Sequence, residues 1–303
     1  MPGISVIIPA YNPGRFLEET LQSVIAQTYT DWECVVVDDG SKEDLCWVAT
    51  RHPQIRLIQQ ENRGLSIARN RGILATTAEY IAFVDADDLW LPTKLERQLA
   101  RMEDPAIGLC HAQFAVIDAE GRRSEIGSPA QFYAFETFRD LLRHNCVGVS
   151  SVLLRREALA VSGLFDPMLR TAQDHDMWVK ITRHYQSAFV PTVEILYRVH
   201  GNNLSGDFRL TYEEVMRILR KNLELATRQG DTTAIEAVRD GVRRYRASLG
   251  STAFDAARTR LRQRKWREFF SAYWFALQRY PGYVVKSTLT YPFHRRGGTG
   301  PVR

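Results

Sequence analysis

The first 120 residues alternate short β-rich segments with helical segments, and this order restricts the fold more than any other feature of the chain. Branched apolar residues mark strands in ISVIIPAY (4–11), ECVVVDD (33–39), IRLIQ (55–59) and EYIAFVDADD (79–88). Between them, GRFLEETLQSVIAQTY (14–29) and GLSIARNRGILAT (64–76) show a helical pattern. Alternation at this spacing indicates an α/β domain, a Rossmann-like, mostly parallel sheet flanked by helices.

Length and composition restrict the class of protein further. The chain has 303 residues, 45% of them hydrophobic, so it can bury a full core. It has no run of about 18 apolar residues and no basic-then-apolar N-terminal segment. Its four cysteines lack metal-ligand spacing and are expected to be reduced thiols. We therefore expect a cytoplasmic protein, with any membrane contact made from the inner face of the cell membrane.

Three of the predicted strands end in polar residues. The strand ends read Pro9, Ala10, Tyr11 and Asn12, then Asp38, Asp39, Gly40 and Ser41, then Asp85, Asp87 and Asp88. In open α/β sheets, ligands bind beyond the carboxyl ends of the strands. A binding site is therefore predicted at this edge.

The segment FVDADDLW (83–90) runs an apolar strand into three carboxylates. On an extended chain, Asp85 and Asp87 would point to one side and Asp88 to the other. Paired carboxylates with phosphate oxygens and water are typical of Mg²⁺ sites. The alternative is a solvated acidic turn in which Asp88 caps the next helix. The motif alone leaves both open.

Five motifs taken in order narrow the choice. SVIIPAYN, VVVDDGS, ENRGLSIARNRGI, FVDADDLW and GLFDPMLRTAQDHDMW together resemble a family 2 glycosyltransferase of the GT-A fold, over roughly residues 3–206. The resemblance implies a catalytic domain at 1–206, followed by a helical extension at 207–303. It also implies transfer of a sugar from a nucleotide donor to an acceptor hydroxyl, with inversion.

The resemblance assigns a donor site to the strand ends. Tyr11 would stack on the base, and Asp39 would accept a hydrogen bond from the base N–H, which favours uracil and a UDP-linked donor. Asp87 would be the main ligand of Mg²⁺ or Mn²⁺, with Asp85 facing the ribose or the metal and His200 completing the shell. The expected donor-binding residues are Pro9, Tyr11, Asn12, Asp39, Arg69 and Asp85. For Arg69, a structural partnership with the acidic cluster remains an equal alternative, and His200 alone would also fit a surface residue.

The catalytic base is expected in the second half of the domain. The family has an acidic pair, usually Glu-Asp, at the start of a helix, and its aspartate removes the acceptor proton. This chain has Gln173 and Asp174 at those positions, so Asp174 matches the base while an amide replaces the first carboxylate. Trp178, one turn later, is expected beneath the site. The alternative for Asp174 is a plain helix N-terminal acid.

The C-terminal region differs in charge from the rest of the chain. Residues 211–303 carry 19 Lys and Arg against 8 Asp and Glu, whereas residues 1–210 carry 21 against 27. An aromatic run repeats with helical spacing at Trp266, Phe269, Phe270, Tyr273, Trp274 and Leu277, among Arg262, Arg264, Lys265, Arg267 and Arg279. Such a helix can lie in a membrane surface, and the alternative is that the run packs on neighbouring helices.

Rival functions remain at this point. A sugar-1-phosphate nucleotidyltransferase would share the architecture, but PAYNPGR (9–15) is a poor phosphate loop. A nucleic-acid binder would use the basic tail, yet no recognition motif is visible, and no nucleic-acid partner is expected. A third possibility is a sugar-nucleotide-binding protein with weak or no turnover. The acceptor expected from the family is a glycan or a lipid-linked glycan in cell-surface polysaccharide or glycolipid assembly.

Overall fold

A computed structural model describes residues 2–123, 135–201 and 207–290, with side chains up to 285. Its eight described strands are β1 Ile4–Ala10, β2 Trp32–Asp38, β3 Ile55–Gln59, β4 Tyr80–Phe83, β5 Leu89–Trp90, β6 Ile107–Ile117, β7 Leu153–Arg155 and β8 Gln186–Arg198. The helices between the strands are α1 Phe16–Ile25, α2 Trp47–Arg51, α3 Leu65–Leu74, α4 Lys94–Leu99, α5 Phe138–Arg143, α6 Leu159–Ser162 and α7 Gln173–Thr182. The helices after β8 are α8 Phe208–Gln229, α9 Thr232–Arg262, α10 Trp266–Arg279 and α11 Pro281–Thr290.

The strands form one mixed sheet in the order β3-β2-β1-β4-β7-β6-β8-β5. β1 pairs in parallel with β2 and β4, and β2 pairs in parallel with β3. β7 runs antiparallel between β4 and β6, and β5 runs antiparallel to β8. β6 and β8 pair in parallel, so most of the described strands share one direction. The predicted α/β class with a mostly parallel sheet is confirmed.

The parallel half of the sheet is buried on both faces. Every residue of β1 is buried, as is the second part of β2, which explains why these strands read as continuous branched apolar runs. On α1, Leu17, Leu21 and Val24 are fully buried in the core. The carboxyl ends of these strands therefore meet at one edge, supported by a rigid core.

The second half of the sheet brings the end of β8 back to the loop that follows β4. β5 lies two residues beyond Asp87, and its Leu89 and Trp90 pair with Leu196 and Ile195 of β8. Because β5 is so short, the end of β8 lies directly beside the acidic segment. Residues almost 110 positions apart in the chain are thus neighbours.

The chain divides into two compact units, residues 1–241 and 242–303. The first unit contains α8, whose Glu214 carboxylate accepts hydrogen bonds from the backbone N–H groups of Arg170, Thr171 and Ala172. The predicted boundary between catalytic domain and extension at 206/207 stays a prediction. Among the described helices, none has both the length and the hydropathy needed to span a bilayer. All four cysteines are free thiols, as expected.

Helix α3 lies close to β1 because Gly72 has no side chain. A Cβ at this position would lie 2.4 Å from Cγ2 of the fully buried Ile7. We expect Gly72→Ala to lower the free energy of unfolding by about 1–3 kcal/mol, despite the better helix propensity of alanine. Urea denaturation measures this change.

A double-mutant cycle tests the cause of that loss. Because Gly72→Ala and Ile7→Ala act on the same volume, the double variant should lose less stability than the sum of the two single variants. An unchanged or raised unfolding free energy in Gly72→Ala would contradict the close contact.

Candidate active site

The loops after β1 and β2 are fastened to each other at the predicted edge. The Asn12 N–H donates to Ser41 Oγ at 2.9 Å, and the Lys42 N–H donates to Asn12 Oδ1 at 2.8 Å. Asn12 adopts a positive φ of 47°, which asparagine tolerates better than most residues. Gly40 also has a positive φ, of 78°, and a Cβ there would lie 2.7 Å from the Asn62 nitrogen. Asn12 therefore shapes the loop, whatever else it contacts.

Asp39 is buried and accepts three hydrogen bonds from the segment that leads into α3. The donors are the Gln60 side chain at 2.7 Å, the Arg63 N–H at 2.9 Å and the Gly64 N–H at 2.8 Å. A carboxylate has about four lone-pair positions, so roughly one acceptor position remains for a ligand. The assigned contact to a nucleotide base stays a prediction.

Tyr11 and Pro9 lie in different surroundings although both belong to the end of β1. Tyr11 is 51% exposed, so its ring is available to stack on a flat ligand. Pro9 is buried within β1, where it is opposite Val37 of β2. The structure therefore supports an exposed aromatic platform at Tyr11, and the assigned donor contact of Pro9 stays a prediction.

Residues 85–88 form a turn, so the expectation of an extended chain was wrong. The Asp88 N–H donates to the Asp85 carbonyl at 3.1 Å. Asp88 is buried and caps no helix: its carboxylate accepts from Ser150 Oγ at 2.6 Å and from the Arg198 N–H at 3.0 Å. Burial, followed by the charges of Asp87 and Asp85, raises the pKa of Asp88 well above its usual value. Asp88 fastens the turn, while Asp85 and Asp87 remain partly exposed.

Arg69 forms a buried ion pair with Asp85. Its Nη2 donates to Asp85 Oδ1 at 2.6 Å, and its side chain is only 1% exposed, against 31% for Asp85. The guanidinium also lies over the Phe165 ring, 5.5 Å from its centre. Neither Nε nor Nη1 of Arg69 has a hydrogen-bond partner in the described structure. A cation with two unused donors beside the carboxylates fits both roles considered for Arg69, a partner for Asp85 and a lining of the donor site.

Asp174 lies at the start of α7 within the electrostatic reach of the same pair. Burial raises the pKa of Asp174 to about 6; the Arg69 charge opposes this rise, and the Asp85 charge adds to it. Asn145 donates a hydrogen bond to the Asp174 carboxylate. A carboxylate with a pKa near neutrality suits a general base.

The start of α7 rests on aromatic side chains. Trp178 is fully buried and meets Phe165 edge-on, with 6.2 Å between ring centres. Since Phe165 also contacts Arg69, the predicted position of Trp178 beneath the site is confirmed.

The other polar residues in the first turn of α7 differ from Asp174 in their partners. Gln173 is buried with an unpartnered Oε1, while Asp176 pairs with Lys180 and lies 3.7 Å from Lys221. Of the acids in the first turn of α7, Asp176 is thus paired with lysines, whereas the charge of Arg69 lowers the pKa of Asp174 against the larger, opposite effect of burial.

Asp87 and His200 form the second polar pair of the site. His200 Nε2 lies 2.9 Å from Asp87 Oδ2, and the imidazole ring stacks on Phe16. Burial and the neighbouring Asp85 raise the pKa of Asp87, and His200 opposes the rise. Arg198 links the turn at 85–88 to α1: its Nε donates to the Asp87 carbonyl at 2.8 Å, and its Nη2 donates to the Glu19 carboxylate at 2.6 Å.

The donor set of this pair fits a divalent cation. Two ligands at right angles around an ion about 2.1 Å away would be roughly 3.0 Å apart, close to the spacing of Asp87 Oδ2 and His200 Nε2. Within the described part of the chain, no three His, Cys, Asp or Glu side chains form a complete metal-binding group. Mg²⁺ commonly needs only one or two carboxylates, because substrate phosphates and water complete its shell.

Sequence reasoning missed three residues of the site. Arg198, Ser150 and Asn145 hold Asp87, Asp88 and Asp174, respectively, through the contacts given above. Arg198 lies two residues before His200 in YRVH, and its full burial is visible only in the structure. Ser150 and Asn145 carry no pattern that distinguishes them from ordinary loop residues.

Solved structures show the same arrangement of strands and helices. The chain superposes on the Staphylococcus aureus protein TarS (1–349), in its complex with UDP-GlcNAc, with a TM-score of 0.67 at 18% identity, covering 93% of this chain and 82% of that one. A mannosyltransferase from Pyrobaculum calidifontis, in complex with GDP-Man and Mn²⁺, matches with a TM-score of 0.58 at 20% identity, covering 91% and 86%. The fold is that of GT-A proteins.

Sequence comparisons add the family. The model of "Glycosyl transferase family 2" matches residues 5–162, more than half of the chain, and the protein belongs to this family. An uncharacterised glycosyltransferase of Rickettsia typhi is 30% identical over 236 residues, covering 75% of this chain and 74% of that protein. A putative teichuronic acid biosynthesis glycosyltransferase of Bacillus subtilis is 28% identical over 214 residues, covering 68% and 82%. A longer Rickettsia bellii relative is matched over only 29% of its length.

The raised pKa of Asp174 makes the fold depend on pH. Well below pH 4 this carboxyl is protonated in both folded and unfolded chains. Between about pH 4 and pH 6 only the unfolded chain releases the proton, so wild-type stability falls relative to Asp174→Asn. At pH 8 we expect Asp174→Asn to be more stable by about 1–3 kcal/mol.

Urea denaturation of both proteins at pH 4 and pH 8 measures this difference. The gap should be small at the lower pH, about 0.5 kcal/mol, and reach its full size at the higher one. An equal gap at both values would show that Asp174 is not desolvated.

Proposed function

We propose that the protein is an inverting glycosyltransferase that moves a sugar from a nucleotide donor, UDP-linked, to an acceptor hydroxyl. The observation that carries the proposal is the position of Arg69, which pairs with Asp85 at the end of β4 and whose charge acts on Asp174 at the start of α7. A donor-binding carboxylate and a candidate base thus share one cation. Family membership supports the class of reaction.

The donor occupies the strand-end edge in this proposal. Tyr11 stacks on the base, and Asp39 accepts a hydrogen bond with its remaining acceptor position. The unused nitrogens of Arg69 offer donors for oxygen atoms of the ligand. The complexes of the two solved relatives with UDP-GlcNAc and with GDP-Man support a nucleotide-sugar donor.

Asp87 and His200 hold Mg²⁺ or Mn²⁺, with Asp85 beside them. When bound, the ion neutralises charge on the departing nucleoside diphosphate. The complex of the mannosyltransferase with Mn²⁺ supports the use of a metal. Arg198 and Ser150 keep the turn in place, so the two ligand atoms need no large rearrangement.

Asp174 acts as the base. Its carboxylate takes the acceptor proton while the acceptor oxygen forms a bond to the anomeric carbon and the bond to the diphosphate breaks. A single displacement inverts the configuration at that carbon. The acceptor is proposed to be a glycan or lipid-linked glycan of a cell-surface polysaccharide, supported by the putative role of the Bacillus subtilis relative.

Donor binding and turnover can be separated by two variants. We expect Asp87→Ala to lose metal-dependent binding of UDP, and Asp174→Asn to bind UDP within about 3-fold of wild type while turnover falls about 10²- to 10⁴-fold. Calorimetry with UDP and Mn²⁺ measures binding. Release of nucleoside diphosphate from a panel of UDP- and GDP-sugars measures turnover.

Asp255→Asn is the matched control, since Asp255 is an exposed acid of α9 in the second unit. It should keep both binding and turnover. Binding of UDP without turnover of any sugar in wild type would favour a sugar-nucleotide-binding protein. Absence of nucleotide binding with either metal would exclude the proposal.

Gln173 places a neutral amide, and no second carboxylate, next to Asp174. A second carboxylate in this buried position would repel the charge of Asp174, so Gln173→Glu should move the rise of the pH–rate profile from near pH 6 upward by about 1 unit. The rate of diphosphate release between pH 5 and pH 9 measures the shift. Gln173→Met is similar in size to Gln173→Glu but adds no charge, so it should leave the midpoint of the pH–rate profile unchanged. Equal shifts in both variants would contradict the electrostatic explanation.

A further inference from the structure

Helix α10 has more apolar surface than its own unit buries. Ala272, Phe275 and Ala276 are buried, as expected for the inner face of a helix. On successive turns of another face, Trp266, Phe270 and Trp274 are 56%, 63% and 59% exposed. At 100° per residue these three side chains span an arc of about 80°. We refer to them as the outer stripe.

The aromatic run noted in the sequence thus divides between two faces. Phe269 and Tyr273 pack inward, with 5.7 Å between their ring centres, and Tyr273 lies 6.0 Å from Phe254 of α9. Phe269 also meets Trp266 edge-on, with 6.4 Å between ring centres, and Phe270 at a tilt, with 5.0 Å between ring centres. Packing between helices therefore accounts for the inner members of the run and leaves the outer stripe uncovered within the described unit.

The second unit, which contains the outer stripe, has a strongly basic sequence. Residues 242–303 contain 14 Lys and Arg but only two Asp and Glu. Both acids are already paired with arginines, Asp255 with Arg258 and Glu268 with Arg260. The exposed side chains of Arg264, Lys265 and Arg267 lie at the start of α10, directly beside Trp266. Apolar surface and unbalanced positive charge thus occur together.

We propose that the outer stripe docks on an anionic lipid surface. Exposed Trp and Phe beside Lys and Arg are the features of a helix that lies in the plane of a membrane interface. The rings enter the boundary between headgroups and acyl chains, and the basic side chains contact lipid phosphates. A second copy of the chain fits less well, because two such faces would bring like charges together. The last basic residues, Arg295, Arg296 and Arg303, lie outside the described residues.

Vesicle flotation of the full chain tests the proposal. Wild type should float with vesicles of phosphatidylcholine and phosphatidylglycerol and bind phosphatidylcholine alone at least about 10-fold more weakly, because each basic residue near an anionic surface contributes about fivefold. The triple variant Trp266→Ala, Phe270→Ala, Trp274→Ala should lose at least about 10-fold in binding to the anionic vesicles. All three positions are exposed, so the fold of the unit is kept; circular dichroism checks this.

Two further variants separate the contributions of charge and apolar area. Arg264→Glu, Lys265→Glu, Arg267→Glu should bind anionic vesicles no better than neutral ones. Leu74→Ala with Val161→Ala removes exposed apolar side chains from the first unit and should bind as wild type does.

Tryptophan fluorescence tests whether the rings enter the bilayer. Brominated phosphatidylglycerol should quench the tryptophan emission of wild type but not that of the double variant Trp266→Phe, Trp274→Phe.

Four results would overturn the proposal. Wild type remaining in the soluble fraction with anionic vesicles would exclude a lipid partner, as would equal binding by the triple alanine variant. Self-association that depends on the outer stripe, without vesicle binding, would assign the face to a second copy. Salt-sensitive binding to arbitrary duplex DNA that depends on the outer stripe, again without vesicle binding, would assign it to nucleic acid.

Discussion

The contact between Arg69 and Asp85 is the interaction on which the rest of the candidate site depends. A buried arginine with a single acidic partner is a poor source of stability, because two charges must leave water. Here the same cation lowers the cost of keeping Asp174 ionised nearby. Removing it would leave Asp85 and Asp174 to repel each other in a desolvated pocket. Gly72 lets α3 approach β1 closely enough to bring Arg69 to the end of β4.

The two halves of the site are supported in different ways. The first half, at the carboxyl ends of β1, β2 and β4, is supported by the parallel sheet and by the turn that Asp88 holds. It is therefore as rigid as the buried core beneath it. Asp174 depends on a loop whose backbone N–H groups are held by Glu214 of α8, a helix beyond β8. That glutamate is buried and accepts from three backbone N–H groups and the Thr171 hydroxyl, so it fixes the segment that leads into α7. Changes in α8 can therefore alter the position of Asp174 without touching the residues at the ends of β1, β2 and β4.

The parallel strands and the edge at which they end could be predicted from the sequence, because both depend on local residue patterns. Continuous branched runs predict buried parallel strands, and parallel strands deliver Tyr11, Asp39 and Asp85 to one edge, so the edge was predictable. The turn at 85–88 was not, because it is fixed by Ser150 and Arg198, which lie 62 and 110 residues from Asp88 in the chain. No periodicity encodes such partners. Asp174 looks like an ordinary helix-start acid in isolation, and only the resemblance separated it from its neighbour Asp176.

Arg198 and His200 lie at and just after the end of β8, and this position affects how the site forms during co-translational folding. Domains fold from the N-terminus as they leave the ribosome, and the strands β1 to β4 can pair as soon as residue 83 is available. The turn that follows them stays incompletely fastened until β8 arrives more than a hundred residues later. A nascent chain shorter than about 200 residues would thus contain most of the sheet yet lack both the clamp on the turn and the imidazole beside Asp87, so assembly of the pocket is one of the last events of folding.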